Sequence, residues 1–71
     1  MKYIIDEFGT EESLDYRLNH LISGICYYER KTGEATPDQY RLAYMLLMTK
    51  NNELDYTNEL KEIYKMEIVE K

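Results

Sequence analysis

The sequence has no tryptophan, one cysteine, one histidine, one proline and three glycines in 71 residues. Each scarcity excludes something. A lone Cys26 cannot form an intramolecular disulfide, and with His20 as the only histidine a structural zinc site has too few ligands. So little glycine and proline, with 44% hydrophobic residues, marks a folded chain rather than a disordered one. The longest apolar run, Leu42 to Met48, is seven residues. A membrane-spanning helix needs about 20. At the N-terminus the apolar run stops after Tyr3-Ile4-Ile5, too short for a secretory leader, so a cytoplasmic protein is expected.

Cation is also in short supply. Nine basic residues face 14 acidic ones, for a net charge of −5. Nucleic-acid backbones and anionic membranes both demand clustered Lys and Arg, so neither is an expected direct partner. A helix-turn-helix reading founders on the same point, because Arg41, Lys50, Lys61 and Lys65 are few and interleaved with acids. An acidic surface suits a basic protein partner instead, although the same charge also serves plain solubility.

What is present is helix-forming. The expected fold class is mainly all-α. It is a single small domain over residues 1–71, a helical hairpin plus a third helix, with an extended arm or strand at the N-terminus that can pair near the C-terminus. The best-specified element spans 37–50. Thr36 and Gln39 form a capping box, Pro37 occupies the first helical position, and Asp38 suits the positive end of the helix dipole. The apolar run that follows covers the whole helix circumference, which predicts a central helix or one half of a contact between chains.

The first helix is expected over 10–32. Thr10 offers a cap with Glu11 and Glu12 in the first turn. Leu14, Leu18, Leu21, Ile25 and Tyr28 make a heptad-like seam, and Gly33 fits the stop. Gly24 within this helix suggests a close neighbour. The connection Gly33-Glu34-Ala35 is so short that the two helices must be antiparallel, with Tyr40, Ala43, Tyr44 and Leu47 facing the first helix. Asn51-Asn52 breaks the second helix and caps a third over 53–66. Residues 1–9 form the arm, whose one partner within the chain is the alternating segment Tyr64 to Lys71.

No chemistry-bearing motif is visible. His20 falls off the apolar stripe with no nucleophile spaced to work with it, and Cys26 lies mid-helix, away from any environment that would activate a thiol. The acids lack the ordered spacing and glycine of a calcium loop. No enzyme activity, cofactor or metal is therefore expected.

Two anomalies remain. Asp6, Glu7, Glu11, Glu12 and Asp15 put five acids into ten residues without a base, and Glu53, Asp55, Glu59 and Glu62 repeat the theme around Lys61. Carboxylates spaced along a surface can imitate a row of phosphates and occupy a basic groove meant for nucleic acid. There are also eight tyrosines, of which Tyr16 and Tyr27 fall outside the seam, and exposed tyrosine beside acid suits a protein contact.

In size, charge and composition the chain resembles phage-encoded inhibitors of host defence, the anti-CRISPR proteins and other DNA mimics. That resemblance implies a small inhibitory protein that docks on a basic site of a nucleic-acid-binding protein or CRISPR effector nuclease. Tyr3, Asp6, Glu7, Glu11, Glu12, Asp15 and Tyr16 are the expected contact residues. The alternative is a homodimeric structural or regulatory module of antirepressor or antitoxin type. There Leu42, Met45 and Leu46 would form the dimer interface, with Met45 and Met48 filling gaps.

Overall fold

A computed structural model describes residues 1–33 and 36–71. The chain runs β1 (Lys2–Ile5), β2 (Glu11–Ser13), α1 (Leu14–Thr32), α2 (Pro37–Lys50), α3 (Thr57–Tyr64) and β3 (Glu67–Glu70). It is mainly helical, but the helices do not close a core by themselves. A three-stranded antiparallel sheet, in the order β2-β1-β3, forms a second layer. The two ends of the chain do pair: Lys2 lies opposite Glu70, Tyr3 opposite Val69, Ile4 opposite Ile68 and Ile5 opposite Glu67.

Strand periodicity decides which face is covered. Ile4 points into the molecule and is fully buried, while its neighbours Tyr3 and Ile5 on the other face are half-buried. Around Ile4 pack Leu14 and Leu18 of α1, Met45 and Leu46 of α2, Leu60 of α3, and Met66. The core thus takes something from every element but β2, at the place where helices meet sheet.

α2 has the bounds expected of it. The Thr36 hydroxyl accepts from the Gln39 amide at 3.2 Å, and the Gln39 side chain accepts from the Thr36 amide at 2.9 Å. The expectation that this helix has no wet face is corrected. Met45, Leu46 and Thr49 point inward, while Tyr40, Tyr44 and Leu47, spaced i, i+4, i+7, form a partly exposed outer stripe. The seven-residue run stays amphipathic because Tyr44 and Leu47 remain partly exposed. The antiparallel packing of α1 and α2 is visible in two cross-helix contacts, Tyr40 to Glu29 and Lys50 to Asp15. Of the predicted connection Gly33-Glu34-Ala35, Glu34 and Ala35 lie outside the described residues.

Two expected boundaries move. α1 starts at Leu14, not Thr10, because Glu11–Ser13 pair with β1 and Ser13 takes the cap, its hydroxyl accepting from the Tyr16 amide at 3.0 Å. α3 spans only Thr57–Tyr64 rather than 53–66. Asn52 adopts a left-handed conformation (φ 57°) that turns the chain, and Asp55 accepts from the Thr57 amide at 3.0 Å. At the far end Lys65, also left-handed, stops α3 and releases β3. Two further expectations fail. Tyr28 is half-exposed, and nothing lies within 4 Å of where a Gly24 side chain would stand, so no close neighbour explains that glycine.

Candidate partner-binding surface

The seven residues expected to contact a partner come together around the β1–β2 hairpin and the start of α1, but most are already engaged within the molecule. The Asp6 carboxylate accepts from the amides of Phe8 and Thr10, each at 2.9 Å, and so builds the turn between β1 and β2. Glu11 pairs with Lys71, Glu12 with Arg17, and Asp15 with Lys50 at 2.8 Å. The Lys71 ammonium also lies 5.4 Å from the centre of the Tyr3 ring. Tyr16 stacks on His20 with ring centres 5.3 Å apart. Among these acids only Glu7 has neither a cation nor a backbone donor as partner among the described residues.

The second acidic group stands differently. Glu53, Glu59, Glu62 and Glu67 are exposed and have no ion-pair partner among the described residues. They lie on the loop before α3, on α3 itself and at the start of β3. Lys61 and Lys65 share a surface cleft with Glu62 and Glu67 but form no ion pair with them, and the Lys65 ammonium donates to the backbone carbonyl of Glu62 at 3.3 Å. Half-exposed Leu54 and Ile63 stand among these acids. Asp55 spends its carboxylate on the amide and hydroxyl of Thr57, and these hydrogen bonds, the hydroxyl's first, hold its pKa below the usual carboxylate value.

A cleft of about 450 Å³ opens beside this region, lined by Lys2, Thr49, Glu53, Asp55, Thr57 and Ile68 among others. Lys2 is tied down there, its ammonium donating to the Thr49 carbonyl and the Asn52 side-chain oxygen. Thr49 is 4% exposed, and its hydroxyl has no hydrogen-bond partner among the described residues. A second groove of about 450 Å³ runs along α1 between Glu12, Tyr16, His20, Gly24 and Leu42.

Of the dimer interface expected at Leu42, Met45 and Leu46, only Leu42 is partly exposed. Leu46 is fully buried, Met45 nearly so, and Leu42 packs against the same core. What α2 turns outward is the stripe Tyr40, Tyr44 and Leu47. Even there Tyr44 meets the Tyr56 ring edge-on at 5.9 Å.

For chemistry, the described residues bring no three His, Cys, Asp or Glu side chains together as a metal site, and Cys26 is exposed. No described helix is long and apolar enough to cross a membrane.

The sequence did mark the second acidic group, yet the first looked the stronger because it contains no base. Arg17 pairs with Glu12 locally, but the cations that meet Glu11 and Asp15 come from far along the chain, Lys71 and Lys50. The pairing of the arm with the alternating segment Tyr64 to Lys71 was expected, but the place of Glu67 beside α3 was not. No protein-family model matches the chain, and no curated protein or solved structure is detectably similar to it.

Proposed function

We propose that this is an acidic protein-binding module that docks on a basic site of a nucleic-acid-binding protein, where its carboxylates take the place of phosphates. The docking face is the α3 side, with Glu53, Glu59, Glu62 and Glu67 around Leu54 and Ile63. The observation that carries this reading is the unequal fate of the two acidic groups. Of the N-terminal acids all but Glu7 are engaged with Arg17, Lys50, Lys71 or backbone amides, whereas Glu53, Glu59, Glu62 and Glu67 form no ion pair among the described residues. Unpaired carboxylates steer a basic partner over distances near the Debye length and give up little internal pairing on binding. The exposed apolar side chains between them supply desolvated contact at the centre of a charged rim.

The test is capture from host lysate by the full chain, with and without added duplex DNA, set beside two reversed variants. Glu59→Lys with Glu62→Lys should abolish capture of nucleic-acid-binding proteins, and duplex DNA should compete with the unmodified chain. Glu11→Lys with Asp15→Lys should leave capture in place. Capture that ignores DNA, or that survives the α3 reversal, overturns the proposal.

A further inference from the structure

β3 is an edge strand, and its register says which of its backbone groups are free. The Lys71 amide donates to the Met1 carbonyl at 2.8 Å, and the Met1 amino group donates to the Lys71 carbonyl at 2.8 Å. In an antiparallel pair such doubly bonded residues alternate with non-bonded ones. Tyr3–Val69 and Ile5–Glu67 are therefore the next bonded pairs of this register. The N–H and C=O groups of Ile68 and Glu70 point the other way, to the side where the sheet has no further strand. No proline interrupts this edge, and its four residues pair with β1 in continuous register.

These free groups fix how a second copy of the chain fits there. Antiparallel pairing about Val69 sets Ile68 of each copy opposite Glu70 of the other, and every outward N–H and C=O of both strands is then bonded. Other centres do worse. Pairing about Ile68 calls on the Met66 amide, which already donates to the Leu60 carbonyl at 3.1 Å, and pairing about Glu70 leaves Ile68 unbonded.

The side chains agree with the backbone. On the face turned away from the helices, the Val69 register puts Glu67 opposite Lys71 of the other copy at both ends and Val69 opposite Val69 at the centre. Opposite charges directly across strands are stabilising. Lys71 already meets Glu11 of its own chain, but that pair is exposed and an ammonium carries three donors, so it serves both carboxylates. Glu70 faces Ile68 in this register and keeps its pair with the Met1 amino group. Parallel pairing of β3 would instead stack each glutamate on its twin. The other edge of the sheet is not self-complementary. The Asp6 amide donates to the Thr10 carbonyl, so Ile4–Glu12 is the next bonded pair and Glu11 and Ser13 point outward. Joining two copies through those groups sets Glu12 against Glu12.

We infer that β3 is a homodimerisation edge: two copies pair it antiparallel about Val69 into one continuous sheet, held by reciprocal Glu67–Lys71 contacts. The inference stands apart from the proposed docking function. It draws Glu67 into the interface between copies and leaves Glu53, Glu59 and Glu62 to the docking face.

Sedimentation of the full chain from micromolar to millimolar concentration should show a monomer–dimer equilibrium. Glu67→Lys and Lys71→Glu each set like charges at both ends of the interface, and each should weaken the dimer about tenfold. Mixed together, the two variants face each other with opposite charges at both ends, so the heterodimer should form at the affinity of the unmodified chain. Val69→Cys in a Cys26→Ser background covers the case in which Lys71→Glu unfolds. Its thiols meet across the two-fold axis, where non-bonded partners lie about 4.5 Å apart at Cα, and should oxidise to a covalent dimer. Glu70→Cys in the same background, offset from its twin, should not. Amide exchange at Ile68 and Glu70 should slow as concentration rises. A chain that stays monomeric at every concentration overturns the inference. So does a dimer that ignores both charge reversals, or one in which the Ile68 and Glu70 amides exchange as in the monomer, since its interface then lies elsewhere.

Discussion

Thr49 carries a defined energetic cost. Its hydroxyl is buried in the last turn of α2 without a partner, although its backbone carbonyl is well used by Lys2. A buried polar group left unsatisfied costs about 1–3 kcal/mol. Thr49→Val keeps the shape and removes the polar atom, and should raise stability by about 1 kcal/mol. Urea unfolding measures this directly, and a lower midpoint in the valine variant would show that the hydroxyl has a partner in solution. Tyr64 poses a different question. Burial first, then its 2.8 Å hydrogen bond to Asp38, raises its pKa above the ordinary 10.0, and burial with the nearby Tyr44 does the same for Tyr56. A raised tyrosine pKa means that the unfolded chain loses its proton first. Stability is therefore unaffected by these groups below pH 10 and falls as pH climbs from 10 toward the folded values. Melting temperatures taken from pH 8 to 11 should show the decline. In Tyr64→Phe it should be shallower, and an equal slope would mean that Tyr64 does not contribute.

At the scale of elements, local signals succeed where the chain specifies its own ends. α2 is bounded as expected because the capping box, Pro37 and Asn51 are all local chemistry. α1 ends as expected at a left-handed Gly33 (φ 89°) for the same reason. Its start was misread because acids before an apolar run look like a first helical turn, and nothing local reveals that Glu11–Ser13 pair with β1. Nothing local marks the end of α3, because the left-handed Lys65 that stops it is neither glycine nor asparagine. Gly24 tests how much of α1 is optimised for folding. No side chain or other element comes within 4 Å of where its Cβ would stand and its φ is ordinary, so alanine fits without strain. Gly24→Ala should stabilise the domain by about 0.5–1 kcal/mol through helix propensity and a less disordered unfolded state. Thermal unfolding checks it, and a loss of stability would reveal a close approach at this helix face.

Across the whole molecule the decisive feature is that its two ends meet. The helices were legible because amphipathic spacing is local. The candidate surface was legible only in part, because ion pairs join residues remote in sequence: Asp15 with Lys50, Glu11 with Lys71, and the Met1 amino group with Glu70. Exposed pairs of this kind each add little stability, about 0–1 kcal/mol. Their effect is to change which acids remain available, and a scan of local charge cannot anticipate that. The strands were legible as a pairing of the two ends, but their register, set by long-range contacts, was not. Without β3 the sheet would be the three-pair ribbon of β1 and β2, and an isolated two-stranded hairpin is marginal in water. The fully buried Ile4 would lose Ile68 from its flank, and the Lys71 clasp on Met1 and Glu11 would go with it. Removal of residues 67–71 should therefore abolish the cooperative melt of the entire domain, helices included, because the core is shared between layers and has no helical half that closes alone. Circular dichroism during heating decides it. A truncated chain that still melts cooperatively within a few degrees of the full one would show that the helices hold the core and that β3 is an accessory.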